Sequence, residues 1–213
     1  MYLKLGKMLT KKQLKILNLF SKNIFREYSY KEIKELSKEK SNSIIQDSIK
    51  AFLKEELITE RKIGTSKLYL INHNNNKVYS YFEIFNRETL PKQVLNSVKG
   101  LEETLDKHTF FYSIVIFGSY SIGEQKKNSD LDIAIFIEQE DKRKIAEVVF
   151  KSMETKSLYK IDGHAITKDE FLEMLKVEYE NLGKEIARKH LITHNPIIFY
   201  SLIKEGIKHG FKL

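Results

Sequence analysis

FFYSIVIFGSYSIGEQKKNSDLDIAIFI, residues 110–137, holds two apolar runs separated by a polar segment with two glycines. Ile114 to Phe117 reads as a short buried strand, and Gly118 and Ser119 follow it directly. After the polar stretch come Ser129, Asp130, Leu131 and Asp132, then the apolar run Ile133 to Ile137. Residues two apart on a strand share a face, so Asp130 and Asp132 are expected side by side on a strand otherwise built for burial. Two adjacent carboxylates at a buried edge are unfavourable unless a cation lies between them. Oxygen-only ligands select Mg²⁺ or Mn²⁺. Gly118 lets the backbone approach closely. Ser119 can offer its hydroxyl and N–H to a phosphate at the start of the next short helix. The rival reading is a turn and strand with ordinary surface carboxylates, and the apolar residues around both aspartates argue against it.

The order apolar strand, Gly-Ser, spacer, then Asp-x-Asp flanked by apolar residues resembles the signature of the nucleotidyltransferase superfamily that contains DNA polymerase beta. It is most similar to the minimal archaeal and bacterial members, several of which carry an N-terminal winged helix. The resemblance assigns Gly118 and Ser119 to a triphosphate and Asp130 and Asp132 to metal. It implies an NTP substrate, ATP favoured, with in-line attack on the α-phosphate and loss of pyrophosphate, chemistry suited to a two-metal clamp. Minimal relatives include antitoxins that adenylylate a partner toxin, so protein AMPylation is among the implied reactions. The superfamily usually has a third carboxylate on a later strand, often the base. SLYKIDGHAIT, Ser157 to Thr167, is the expected strand, and Asp162 is its only acid. Alternation puts Lys160, Asp162 and His164 on one face; a strand-end aspartate without a catalytic role is the other reading. The chain departs from family habit in lacking a basic residue near Ser121 or Ile122. Lys126 and Lys127 can substitute from the loop, although a solvated pair is the plainer reading. His164 and His194 read more readily as structural than as metal ligands.

Outward from this stretch, the composition narrows the possibilities. The chain has 213 residues, 41% hydrophobic, enough to bury a core in one large domain or two small ones. It has no Cys, which rules out disulfides and thiolate metal sites and fits a cytoplasmic protein. MYLKLGKMLT lacks a signal-peptide apolar region. No apolar run approaches the roughly 20 residues that span a bilayer, so no membrane partner is expected. Residues 1–75 hold 16 of the 37 Lys and Arg but only 8 of the 29 Asp and Glu, so the whole net charge of +8 sits there. Such asymmetry points to an N-terminal part that meets a polyanion, against the alternative of lysines scattered unevenly over a solvated surface.

The periodicity of that first third predicts three helices and a hairpin. Thr10 caps KKQLKILNLFS, with Leu14, Ile16, Leu17 and Phe20 as its apolar stripe. Ser29 and Glu32 form a capping-box pattern before a second helix with Ile33 and Leu36 inward. A third helix runs from Ser41 or Asn42 to Glu55, with Ile45, Ile49, Phe52 and Leu53 inward. Around Gly64, LITERKIGTSKLYLI turns strand-like, and its tip from Arg61 to Lys67 is basic. This layout resembles a winged helix-turn-helix over roughly residues 8–73. Short polar residues on the third helix can enter a major groove, and a basic hairpin can reach phosphates. The candidates for double-stranded DNA are Asn42, Ser43, Gln46 and Lys50 on the helix and Arg61, Lys62 and Lys67 on the wing. Packing against a protein or self-association is the alternative use of the module.

The expected fold class is α/β (α+β). It has a winged helix-turn-helix at 1–75, a helical connector at 76–107 and a small mixed-sheet nucleotidyltransferase domain with C-terminal helices at 108–213. In the connector, Val78, Tyr81, Phe82 and Phe85 form one apolar face. Pro91 starts a helix with Val94, Leu95, Val98, Leu101 and Leu105 as its stripe. That surface is to be buried between domains or across a homodimer, the oligomer expected of a winged helix. From Thr167 onward the chain is read as helical. Thr167 caps a helix with Phe171, Leu172 and Leu175 inward; Leu182, Ile186 and His190 share a second, and Pro196 opens the last. The function expected is Mg²⁺-dependent transfer of NMP from an NTP to a protein or small-molecule acceptor. Two alternatives remain: a DNA-binding regulator whose transferase-like domain only binds nucleotide or is degenerate, and an adaptor or dimerisation protein.

Overall fold

Several helices of this chain begin where short polar side chains can satisfy the free amides of a first turn. Thr10 with Gln13 opens α1 (Lys11–Leu17), and Ser29 with Glu32 opens α2 (Tyr30–Ser37), each as a reciprocal capping box. Ser41 caps α3 (Asn42–Lys54). A 3-10 turn, Asn18–Lys22, follows α1, and β1 (Tyr28–Ser29) precedes α2. Then come β2 (Ile58–Ile63) and β3 (Ser66–Ile71), paired antiparallel around Gly64, with β1 on the outer side of β3. The computed structural model describes residues 8–154, 157 and 159–213, with Glu154 described through its backbone alone. It divides at Phe85 and Asn86 into two units, Met1–Phe85 and Asn86–Leu213, and the division falls within α4 (Lys77–Thr89).

Among the described residues, the first unit holds α1, α2, α3 and the first part of α4 with a three-stranded sheet. Leu14, Ile16, Leu17, Phe20, Ile33, Ile45, Ile49 and Phe52 are buried with Ile58, Tyr69 and Ile71 of the sheet. The hairpin's buried residues therefore alternate through Tyr69 and Ile71, while Leu68 and Leu70 are only half-buried and Ile63 is exposed. Leu36 was expected inward and is instead 48% exposed, near the end of a helix of little more than two turns. Leu53 is half-buried. The two-residue β1 is too short to leave a period in the sequence. In α4, Val78, Tyr79 and Phe82 are buried, as is the polar Asn86, while Tyr81 and Phe85 are half-buried.

The second unit is a mixed four-stranded sheet in the order β6-β5-β4-β7, with helices on both faces. Its elements are α5 (Lys92–Leu105), β4 (Tyr112–Ile116), α6 (Gly118–Ile122), β5 (Leu131–Ile137), α7 (Arg143–Glu154) and β6 (Ile161–Thr167). After them come α8 (Lys168–Lys176), α9 (Leu182–Arg188), β7 (Leu191–His194) and α10 (Pro196–Lys208). β4 is antiparallel to β5 and β7, and β5 is parallel to β6. Strand alternation sorts the core. Leu131, Ile133, Ile135 and Ile137 pack with α5 and α7 through Val94, Val98, Leu101, Val149 and Phe150. On the opposite face Phe136 meets Phe171 of α8 and Phe199 of α10, at 4.8 and 5.1 Å between ring centroids.

Two expectations for this unit are corrected. The part after Thr167 is not wholly helical: LITH forms β7, completing the sheet beside β4. His190, expected on a helix face, lies between α9 and β7, its Nδ1 within 3.0 Å of the Ile186 carbonyl; burial pushes its pKa down to about 4. Thr167 as a cap, the inward Phe171 and Leu175, and Pro196 at the start of α10 stand as expected, with Leu172 only half-buried; Glu170 completes a capping box with Thr167. β6 starts at Ile161 and not at Ser157, and Leu158 lies outside the described residues, as do residues 1–7 of the MYLKLGKMLT stretch. No helix among the described residues is long and apolar enough to cross a membrane.

Gly163 has a packing cause. A Cβ there would lie 2.3 Å from the Phe150 ring of α7. Gly163→Val forces that buried ring to shift, so it should destabilise the protein by about 1–3 kcal/mol. Urea denaturation checks this; a stability within error of wild type would show that α7 does not seat on β6 in this way.

Candidate active site

Strand register brings the acids of the second unit together. In the parallel β5–β6 pair, Leu131 lies opposite Ile161, Asp132 opposite Asp162 and Ala134 opposite His164. Asp132, Asp162 and His164 therefore share the face that carries Phe136, away from α5 and α7. Asp130 stands one residue before β5 begins. Its Oδ2 accepts a hydrogen bond from Lys160 Nζ at 2.6 Å. The sheet builds in that reach, because the Leu131 N–H donates to the Lys160 carbonyl at 2.8 Å. Asp162 Oδ1 lies 3.3 Å from His164 Nε2. The His164 ring is 5.8 Å from that of Phe117.

The turn after β4 closes on the same acids. The Phe117 N–H donates to the Asp132 carbonyl at 3.1 Å. Gly118 then takes φ = +59°, a left-handed conformation, and a Cβ built on it would lie 1.9 Å from Asp132 Oδ2. Only glycine meets both requirements, so the chain turns with its bare backbone against the carboxylate. Ser119 sits half-buried in the first turn of α6, whose end is tied by a hydrogen bond from Glu124 N–H to the Ser119 carbonyl at 3.0 Å. Lys126 and Lys127 are exposed in the loop that follows.

The electrostatics centre on Asp132. Burial raises its carboxyl above the usual carboxylate range, and the charges of Asp162, Asp130 and Glu185 push it further, while His164 partly opposes them. Lys160 is held above the ordinary lysine range by Asp130. Glu185, on α9, was not foreseen at the site. Its sequence neighbourhood reads as an ordinary amphipathic helix, and only tertiary packing reveals it. Lys160 had a signal, because strand alternation already placed it beside Asp162. His194 lies elsewhere, stacked on Tyr112 at 4.4 Å with its Nδ1 3.4 Å from Glu102.

A divalent cation fits the chemistry of these residues: carboxylate donors, with the like charge on Asp132 only partly opposed by His164. Among the described residues, however, no group of three or more acids or histidines converges closely enough to hold a metal. Asp130 is turned to Lys160, and Asp162 to His164. The acids are neighbours by register, with two of them engaged by bases.

In the first unit, Asn42, Ser43, Gln46 and Lys50 are all exposed on α3. Arg61 is exposed but makes a two-pronged pair with Glu27, at 2.8 and 2.5 Å. Lys67 pairs with Glu60 at 3.0 Å, and Lys62 is exposed opposite Lys67 in the hairpin register.

A family model described as a nucleotidyltransferase domain matches residues 98–210, a span that contains the turn, all three aspartates and the whole four-stranded sheet. No curated protein and no solved structure matches the chain.

The raised carboxyl of Asp132 has a measurable consequence. A carboxyl whose pKa is higher in the folded state destabilises that state once ionised. The cost is absent below the ordinary Asp value of about 3.9 and grows as pH rises through the raised value. Asp132→Asn should therefore melt about 2 °C above wild type near neutral pH without divalent ions, and the gap should close in acid. Thermal denaturation across pH checks this, and equal melting temperatures near neutrality would show that Asp132 carries no such load.

Proposed function

The chain belongs to the nucleotidyltransferase domain family, and from that premise we propose that it transfers NMP from an NTP, ATP favoured, to a hydroxyl on a protein or small-molecule acceptor. The observation that carries this reading is the carboxylate of Asp132 pressed against the bare backbone of Gly118, with Asp162 beside it on the next strand. A glycine–serine turn touching a crowded acid places an anion-binding backbone next to a cation-demanding side chain, the pairing a metal-bound triphosphate requires.

In this reading Asp130 and Asp132 hold Mg²⁺ or Mn²⁺, and Gly118 and Ser119 take the triphosphate. The bound ion would supply charge neutralisation to the transferring phosphoryl group. The acceptor hydroxyl oxygen bonds to the α-phosphorus, the bond to pyrophosphate breaks, and the hydroxyl proton passes to Asp162. Asp162 is exposed enough to meet an acceptor, and His164 sets its orientation. The first unit, residues 1–75, is proposed to act as a winged helix-turn-helix. Asn42, Ser43, Gln46 and Lys50 would face a DNA groove, and Arg61, Lys62 and Lys67 the phosphates, in a homodimer in the cytoplasm. The excess positive charge of these residues supports that use. Because Arg61 and Lys67 are already paired with acids, Lys62 and Lys50 carry most of the unpaired charge in this scheme. Asp162's pairing with His164 favours, as a second reading, a domain that binds nucleotide to regulate DNA binding without turnover.

With Mg²⁺ and labelled ATP, wild-type protein should label itself or an acceptor. Asp132→Asn and Asp130→Asn should label neither, and Asp162→Asn should lose about 10²–10⁴-fold. Full labelling by Asp132→Asn would remove the enzymatic reading, and nucleotide binding without labelling by wild type would favour the regulatory one.

Binding of the full chain to duplex DNA should fall steeply with salt, and Lys62→Ala should reduce the slope of log affinity against log salt by about 1. Flat salt dependence, read by fluorescence anisotropy, would remove DNA from the scheme.

A further inference from the structure

We propose that Lys160 is a built-in cation of the acid site, standing where one of two divalent ions would otherwise bind. This rests on the reading of the acids as metal ligands. The first observation is the 2.6 Å contact between Lys160 Nζ and Asp130 Oδ2. The second is its origin in the sheet. The backbone bond from Leu131 to Lys160 and the register of Leu131 with Ile161 fix Lys160 directly across from Asp130. The Lys160 side chain is exposed, but its backbone is delivered to the acid by the same register that sets Asp132 beside Asp162. The third is the uneven charge left behind. Among the described residues Asp130 has a lysine in contact and Asp132 has none, and Asp132 feels Asp162, Asp130 and Glu185 together, with His164 opposing them only in part. The fourth is the absence of Lys or Arg between Gly118 and Gln125, so the turn itself brings no positive charge to a triphosphate.

These observations describe a site with one strong demand for a divalent ion, at Asp132, and one acid, Asp130, that any ion must share with Lys160. Lys160 therefore lowers the number of ions held at low concentration. Its ammonium, a point charge on a long stem, can stay on Asp130 or turn to a phosphate oxygen without leaving the site. The acids at the β5–β6 end thus form a one-ion-plus-lysine site, with Lys160 as a positioning residue for the triphosphate.

Mn²⁺ alone is the probe, with the full chain and the loss of the free-ion electron paramagnetic resonance signal as readout. Wild type should bind one ion, and Lys160→Met should bind a second, with about five- to tenfold tighter first binding. Lys160→Arg should behave as wild type, and Lys151→Met, at an exposed position of α7, should change nothing. Two ions in wild type, or no difference between wild type and Lys160→Met while Asp132→Asn abolishes binding, would overturn this proposal and leave the transferase reading intact. No Mn²⁺ binding by any form would overturn both.

Discussion

A carboxylate lodged against a backbone with no side chain is the constraint on which this structure depends. Asp132 sits on a strand whose other residues are almost all buried, and it is brought within contact of Gly118, in a conformation that other residues adopt at a cost. Parallel pairing of β5 with β6 then sets a second acid at its side. Folding alone has no use for this crowding, since burial and like charge both work against the ionised form. The apolar packing behind the sheet bears the load: Leu131, Ile133, Ile135 and Ile137 face one helical layer, and the Phe136, Phe171 and Phe199 cluster faces the other.

The bases around the acids complete the arrangement. Lys160 and His164 each engage one aspartate, and among the described residues Asp132 makes no ion pair of its own. Carboxylates that are close in register and yet turned apart are what a sheet edge gives when small internal bases compete for them. A ligand that draws the acids together must break an exposed ion pair, and exposed pairs are weak, about 0–1 kcal/mol. The barrier to convergence is correspondingly small.

How much was legible in the sequence depended on how local each signal was. The caps at Thr10 and Thr167 and the capping box at Ser29 need only residues within one turn, and all three helices start where those residues require. The Gly118 turn and the Asp130–Asp132 spacing were legible because backbone approach and strand alternation are short-range rules. β7 was hidden: four residues between two helical patterns, read as a continuation of the Leu182, Ile186, His190 spacing. Leu36 went outward because α2 is short. Glu185 could not be placed at the site from its own surroundings, since only the packing of α9 sets its position. The ion pairs of Arg61 with Glu27 and of Lys67 with Glu60 likewise depend on tertiary and cross-strand placement, which a charge count cannot supply.

The outer strand β7 carries one more consequence. The Asn86 side chain donates to the Ile192 carbonyl at 3.0 Å, and Arg87 donates to the Thr193 carbonyl at 2.6 Å while pairing with Glu102. Two successive acceptors on an edge strand are thereby taken by side chains of the same polypeptide. An uncovered margin of this kind invites a foreign strand to add itself and start a fibre. Here two carbonyls of β7 are engaged by side chains of the same polypeptide, which leaves that strand less to offer an incoming one.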